Sequence, residues 1–479
     1  MLAHNDSAPS LPFGVSVQVM IKREAGAWVR KLFGTDGIRA VAGDYPLDKK
    51  TVHAIGRALG DHLPQGPRRV VIGQDTRESS AWIADTLACG LRESGVAVES
   101  AGVITTPGVA YLAHSRGFSA GVVISASHNP WQDNGIKVFG GDGYKLADQT
   151  ELEIESEIFT LLSSASPARP SGSASTSWNA SLPGDDRLRA GYIDWLAHPI
   201  PGVDKLSAVV DCANGAASAI AKEVLTRCGL KAQFTHSAPN GKNINESCGA
   251  LHPEIVGREV AARMAGLGIC FDGDADRALF TDAAGRVVNG DAIMLLMALD
   301  LKQRGELSNN TVVATTMSNM GLEIALREAG IAMLRAPVGD KYVLEEMQKS
   351  GAVLGGEQSG HIILSRVATT GDGLLTTIRV LEILARSGKG LAELVAGLKV
   401  FPQTIKNVRV REKQPLDQIP DVQSAIRNAE QELNGNGRVN VRYSGTESLA
   451  RVMVEAATEE TVQRLATEIA TALEKALGA

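Results

Sequence analysis

The sequence predicts an α/β protein built from several similar units, and three observations carry that prediction. Three stretches repeat one plan: Arg69-Val70-Val71-Ile72-Gly73, Leu206-Ser207-Ala208-Val209-Val210 and Thr311-Val312-Val313-Ala314 are apolar, β-branched runs, each followed by a polar loop and then by helical spacing. At 479 residues the chain is too long for one hydrophobic core. Near the C-terminus, Val439 to Val441 and Ala450 to Glu455 read as strands ahead of a helical pattern from Glu459 to Leu477. That pattern places Val462, Leu465, Ile469 and Leu473 on one side.

Taken in order, residues 1–27 lack hydrophobic periodicity and are expected to form a disordered tail. Its weakly apolar part, Leu11 to Met20, has its basic residues after it, the wrong order for a signal peptide; Met20 is an alternative start. The first unit is expected over 28–184. Its strand Arg69–Gly73 leads into Gln74-Asp75-Thr76-Arg77, with a helix from about Ser80, and Asp75 and Arg77 are read as bracing a wall of the site. The segment Ser163 to Ser181, rich in Ser, Ala and Pro, reads as the linker that closes it. The second unit, 185–285, continues from its strand through Asp211-Cys212-Ala213-Asn214-Gly215 to a helix from about Ala217. The third, 286–401, runs through Thr315-Thr316-Met317-Ser318-Asn319 to a helix from about Gly321, and the fourth is 402–479.

Composition narrows the function. Hydrophobic residues make up 44% and charged residues 21%, as in soluble globular proteins. A net charge of −6 argues against a nucleic-acid surface, but local arginines can still hold a small anion. The five cysteines are scattered, without a Cys-x-x-Cys, which fits a reduced cytoplasm and no disulfides. No run reaches the length of a membrane-spanning helix, so no membrane partner is expected.

Two motifs carry chemistry. In Ile124-Ser125-Ala126-Ser127-His128-Asn129-Pro130 a buried strand ends abruptly in a polar loop, and Pro130 restrains Asn129. Ser127 is thereby held at the carboxyl end of a strand, where open α/β sheets bind ligands. In Asp272-Gly273-Asp274-Ala275-Asp276-Arg277 three aspartates alternate with small residues between two apolar runs. If that segment is extended, the three carboxylates share a face and need a cation. Oxygen-only ligands suit Mg²⁺ or Ca²⁺. A calcium loop of EF-hand type is excluded, because Arg277 stands where glycine is needed and Ala283 where a glutamate is needed. A nucleophilic serine with a magnesium triplet points to phosphoryl transfer. Charges balance when phosphoserine, the three aspartates and Mg²⁺ are joined by Arg277, Lys137 and Arg39.

With these motifs the chain resembles the α-D-phosphohexomutase superfamily. Lys31-Leu32-Phe33-Gly34-Thr35-Asp36-Gly37-Ile38-Arg39, Gly355-Gly356-Glu357-Gln358-Ser359-Gly360-His361 and Arg442-Tyr443-Ser444-Gly445-Thr446-Glu447-Ser448 follow in the family's order, and point to its bacterial, amino-sugar branch. The resemblance implies three mixed-sheet α/β domains and a smaller C-terminal α+β domain around a central cleft. It implies that Ser127 carries the phosphoryl group and that one Mg²⁺ is held by Ser127, Asp272, Asp274 and Asp276. Lys137, Arg39 and His128 would assist catalysis. Lys137 serves as acid or base if its pKa is lowered, or else as a charge clamp. Arg277, Glu357, Ser359, His361, Arg442, Ser444, Gly445, Thr446 and Arg451 would bind substrate. If extended, Glu357, Ser359 and His361 would project to one face.

The implied reaction interconverts glucosamine 6-phosphate and glucosamine 1-phosphate, a cell-wall precursor, with a sugar bisphosphate as activator and a monomer or homodimer as the working form. Three alternatives stay open at this point: a phosphomannomutase or phosphoglucomutase, a phosphatase with an aspartyl nucleophile, and a non-catalytic sugar-phosphate binder. The phosphatase fits poorly, because its paired aspartates would be followed by a second hydroxyl residue, and this pattern continues to Asp276 and Arg277.

Overall fold

Each apolar run becomes an interior strand of a sheet, flanked by a parallel neighbour on either side. The computed structural model describes residues 31–64, 66, 68–164, 182–444 and 448–478; the expected tail and most of the Ser/Ala/Pro-rich linker lie outside them. In the first sheet the central strand Arg69–Gln74 pairs in parallel with Ala97–Val103 on one side and Ala120–Ile124 on the other. The latter folds back antiparallel into Asp133–Gly140, and Ile38–Val41 adds an edge.

The second sheet repeats this around Ser207–Asp211, with Lys231–Thr235 and Leu267–Phe271 parallel and Ala278–Thr281 antiparallel. The third does so around Thr311–Thr315, with Ala332–Ala336, Leu354–Gly356 and Ile362–Leu364. Central strands covered on both faces read as unbroken apolar runs, which is why the sequence displays them. The fourth sheet is antiparallel, in the order Gln403–Arg409, Leu449–Glu455, Arg438–Tyr443.

Helix starts follow their caps. Asn319 ends its polar loop by accepting from Gly321 N at 3.0 Å, and the helix Met320–Glu328 begins there. The helix expected from about Ala217 is delayed: a 3₁₀ turn, Ala216–Ala219, precedes Ala221–Arg227. Gly215 explains the detour, since a Cβ there would lie 2.7 Å from the Cα of Gly273. The chain must hug the aspartate loop before it can turn into a helix.

Packing divides the molecule unequally. One continuous core runs from Val71 through Tyr192, Phe271 and Leu295 to Leu381, so the first three sheets share apolar packing. Helix Asp186–Leu196 joins it by packing on strand Ala97–Val103 and helix Thr106–Ser115, where Tyr111 and Trp195 stack with centroids 4.5 Å apart. The fourth sheet has a core of its own. Val462, Leu465, Ile469 and Leu473 on helix Glu459–Leu477 are all buried there, as their spacing predicts. Each contributes about 1.5–3 kcal/mol of burial before chain entropy is counted.

Candidate active site

The repeated sheet plan aligns the functional loops. In each of the first three sheets the last parallel strand turns back into an antiparallel partner. Those three turns hold residues 125–132, 272–277 and 357–361. Motifs scattered over more than two hundred positions are thus one structural feature used three times.

The first turn is firmly held. Ser127 has φ 53, a left-handed conformation uncommon for a residue with a side chain. Its N–H donates to Ser125 Oγ at 3.0 Å, and Ser125 Oγ donates to Asp75 at 2.6 Å. Arg77, fully buried and paired with Asp75 at 2.8 Å, donates to the backbone carbonyls of Ser127 and Asn129 at 2.9 Å and of Pro130 and Asp133. The Ser127 hydroxyl is aimed across the boundary between sheets, donating to Asp272 Oδ2 at 2.6 Å.

The second turn gathers Asp272, Asp274 and Asp276, whose nearest carboxylate oxygens lie within 4.8 Å of one another. They converge for a different reason than the sequence suggested. The segment is not extended: it is a tight turn in which Ala275 takes φ 55 and Ala275 N bonds Asp272 O at 3.1 Å. Asp274 Oδ1 and Asp276 Oδ1 are buried and have no hydrogen-bond donor. Orphaned carboxylate oxygens in a buried, all-oxygen cluster fit a hard divalent cation.

The charges agree with that fit. Burial, then Asp276 and Asp274, push the Asp272 carboxyl well above the usual range; burial and Asp274 also raise Asp276. Burial would raise Asp274 too, but the Lys137 ammonium, 2.8 Å away, and a hydrogen bond from Thr106 outweigh it and hold that carboxyl low. For Lys137 burial favours the neutral amine, yet Asp274, Asp36 and Asp276 overcome it and raise its pKa. The residue is a fixed cation, which favours the clamp over the acid–base role. Arg277 lies 3.7 Å from Asp276 and 4.0 Å from Asp272. His128 is pulled down to about 4, by burial first and then by Arg277 and Arg39, and is neutral at pH 7. Arg39 pairs with Asp36, which also meets Lys137 at 3.1 Å, so Arg39 is linked to Lys137 through a shared carboxylate. Lys145 joins Asp36 to Asp340 of the third sheet, at 2.7 Å each.

The third turn also departs from expectation. Glu357 to His361 is the tight end of a hairpin, closed by Glu357 N to His361 O at 3.0 Å, so its side chains do not alternate across a strand. Gly360 takes φ 93 there, which only glycine adopts readily. Glu357 accepts from Gly339 N at 3.0 Å and from Ser359 Oγ at 3.2 Å. His361 is 2% exposed, 4.0 Å from Asp276 and 3.9 Å from Asp340, with neither ring nitrogen hydrogen-bonded. Arg335 braces this unit from within, through Glu323 and the carbonyls of Thr315 and Ser318.

Arg442, Ser444 and Arg451 stand apart on the fourth sheet and its separate core, and Gly445 and Thr446 lie outside the described residues. Arg442 and Arg451 are direct cross-strand partners.

Sequence reasoning missed Thr106, which donates to Asp274 at 2.6 Å, and Asn245, which donates to Ser127 O at 2.9 Å. Neither belongs to a motif. A second group of potential metal ligands, Asp211, His236 and Cys248, is of another kind. Asp211 already accepts from Ala213 N at 2.7 Å, His236 Nδ1 at 2.9 Å and Gly249 N at 3.0 Å, so it is a satisfied brace and needs no cation.

Comparisons with known proteins agree on one family. The phosphoglucomutase/phosphomannomutase family models match as alpha/beta/alpha domain I over residues 30–164, alpha/beta/alpha domain III over 289–401 and the C-terminal domain over 405–472. Among solved structures, a phosphoglucomutase/phosphomannomutase family protein from Burkholderia thailandensis superposes with a TM-score of 0.73 at 24% identity, covering 92% of this chain and 97% of that one. N-acetylphosphoglucosamine mutase from Aspergillus fumigatus, solved with GlcNAc-6P and magnesium, gives 0.62 at 20% identity, covering 93% and 96%. These two share the fold. A phosphoglucosamine mutase of Koribacter versatilis is 60% identical over 457 residues, 94% of this chain and 98% of its own length. At that identity over nearly the whole of both chains, the protein belongs to the phosphoglucosamine mutase family.

Proposed function

We propose that the chain interconverts glucosamine 6-phosphate and glucosamine 1-phosphate through a phosphorylated Ser127. The observation that carries this is the Ser127 hydroxyl, 2.6 Å from Asp272 and beside two buried carboxylate oxygens without donors. Asp272, Asp274 and Asp276, with Ser127, would hold Mg²⁺, which supplies charge neutralisation on the transferring phosphoryl group. In the first half-reaction the Oγ–P bond of phosphoserine breaks as a sugar hydroxyl oxygen bonds to phosphorus, giving a sugar bisphosphate. The intermediate turns over, and its other phosphate returns to Ser127; added bisphosphate would act as activator.

Lys137 and Arg277 stabilise developing charge as fixed cations. His128 is the one neutral base among the four predicted catalytic side chains and suits the hydroxyl proton. Arg442, Ser444, Gly445, Thr446 and Arg451 would hold the phosphate that is not reacting, while Glu357, Ser359 and His361 read the sugar. The reading keeps four units, divided after 184, 285 and 401, acting in the cytoplasm as a monomer or homodimer. No helix among the described residues is long and apolar enough to cross a membrane.

Intact-mass analysis of active enzyme should find one phosphate, on Ser127, and Ser127→Ala should remain folded yet lose nearly all turnover. The Glu357 carboxylate can favour an ammonium at C2 over a hydroxyl by about 1–3 kcal/mol. That corresponds to roughly a ten- to hundredfold preference in kcat/KM for glucosamine 6-phosphate over glucose and mannose 6-phosphates. Equal values for the three sugars, or phosphate on a different residue, would overturn the assignment.

A further inference from the structure

We propose that Asn245, from the second unit, is a positioning residue that fixes the Ser127 loop against the aspartate loop. The proposal rests on the reading of Ser127 as phosphoryl carrier and extends it to a residue outside every motif. The Asn245 side-chain amide donates to two backbone carbonyls of the first unit, Ser127 O at 2.9 Å and Asn129 O at 3.1 Å. Arg77 grips the same two oxygens from the first unit's side. Each carbonyl therefore has one donor from its own unit and one from the unit that carries the aspartates. Arg77 alone would hold the loop's backbone to its own sheet; Asn245 ties those two carbonyls to the neighbouring one, beside the bond from the Ser127 hydroxyl to Asp272.

The geometry around Asn245 is built for this. Its backbone takes φ 59, a left-handed conformation that asparagine tolerates better than most residues, and its N–H bonds Ala213 O at 2.9 Å. Ala213 and Gly249, on either side of it, are both anchored on Asp211. Gly273, inside the aspartate turn, has no room for a side chain: a Cβ there would come within 3.0 Å of the Asn245 amide nitrogen. The serine carbonyl, the Asn245 amide and the aspartate turn thus form one packed contact. Ser127 itself is held at φ 53, a conformation that persists only where surroundings enforce it. An error of about 1 Å between nucleophile and cation site can cost on the order of a hundredfold in rate.

Asn245→Gly tests this without disturbing the backbone, because glycine accepts φ 59 freely while removing the amide. Asn245→Asp keeps shape and turns the donor into an acceptor facing two carbonyl oxygens. In the full-length protein with Mg²⁺, the glycine variant should lose roughly ten- to a hundredfold in kcat, and the aspartate variant more. KM for glucosamine 6-phosphate should stay within about twofold, because Asn245 binds the serine loop and not the sugar. Rates are normalised to folded protein by circular dichroism. Wild-type kcat in either folded variant would overturn the proposal, as would a loss in which KM rises and kcat holds. Wild-type enzyme run alongside separates the two readings: if it lacks phosphate on Ser127 or does not turn over the sugar, the phosphomutase reading fails, not the role of Asn245 alone.

Discussion

The serine turn and the aspartate turn occupy the same place in two copies of one sheet plan, yet they are stabilised in opposite ways. In the serine turn the bracing carboxylate and the carbonyls facing Arg77 are met by donors. Asp75 receives Arg77, Ser80 and Ser125, and Arg77 in turn fills four backbone carbonyls. In the aspartate turn two carboxylate oxygens are buried without a donor, and two of its three carboxyls are pushed toward protonation. The first turn is finished by folding; the second is left for a ligand to finish. A nucleophile must be stiff before the substrate arrives, whereas a cation site must keep lone pairs uncommitted, and the same hairpin serves both needs by changing what surrounds it.

The comparison breaks most visibly at Arg77. Its side chain and that of Asp75 are both fully buried. Arg77→Met strands a buried carboxylate and takes one donor from each of four carbonyls, so it should cost about 3–5 kcal/mol, read as a lowered urea midpoint at constant m. Adding Asp75→Asn should recover part of that loss, because the stranded charge goes too. A cost below ~1 kcal/mol for the single variant would mean the serine turn is not held by this pair.

How much of this was legible depended on distance along the chain. The three central strands showed because burial on both faces leaves no polar residue to interrupt them, and helix Glu459–Leu477 showed because its apolar side repeats. The aspartates showed because they are adjacent, although alternation gave the wrong reason for their convergence: Ala275 at φ 55 belongs to a turn, not a strand. Glu357 to His361 failed the same way, a hairpin end read as extended chain. Thr106 lies 168 positions from the Asp274 it touches, and Asn245 lies 118 from Ser127. Contacts made only when two sheets dock leave no local pattern, so no spacing rule could find them.

A second, smaller effect concerns what stands behind the aspartate turn. Asp372 caps helix Gly373–Ser387, whose first N–H bonds Ala275 O at 3.0 Å, and it accepts from Tyr192 Oη at 2.6 Å. Burial, despite those hydrogen bonds, raises its carboxyl to about 6. A carboxyl raised in the folded state binds its proton more tightly there than when unfolded. Its contribution is therefore fully present below about pH 4 and is lost as pH rises through about 6. With about 1.36 kcal/mol per pKa unit, at most about 2–3 kcal/mol should disappear across that window. Asp372→Asn keeps a capping oxygen but cannot titrate, so its unfolding midpoint should lack this component between pH 4 and 6. Identical pH profiles for the two proteins would show that Asp372 does not titrate as its burial demands.

The smallest stability change should also be the sharpest test of the contrast, because its sign is opposite to that at Arg77. Asp276→Asn removes one of three crowded carboxylates in the turn that keeps buried oxygens without donors. Burial and Asp274 already disfavour its charge, against the pull of Lys137 and Arg277. Without metal the variant should be as stable as the parent or up to about 1 kcal/mol more so, within the range of ordinary single substitutions. With metal the order should reverse. A ligand at a hundred times its Kd stabilises the folded state by about 2.7 kcal/mol, and the parent should gain on that scale as Mg²⁺ is added. The variant, with an amide in place of a charged ligand, should gain much less at the same concentration. Thermal unfolding with and without chelator reads both halves. If Asp276→Asn is destabilised in chelator by as much as Arg77→Met, the aspartate turn is held by its own contacts like the serine turn, and the contrast between the two fails.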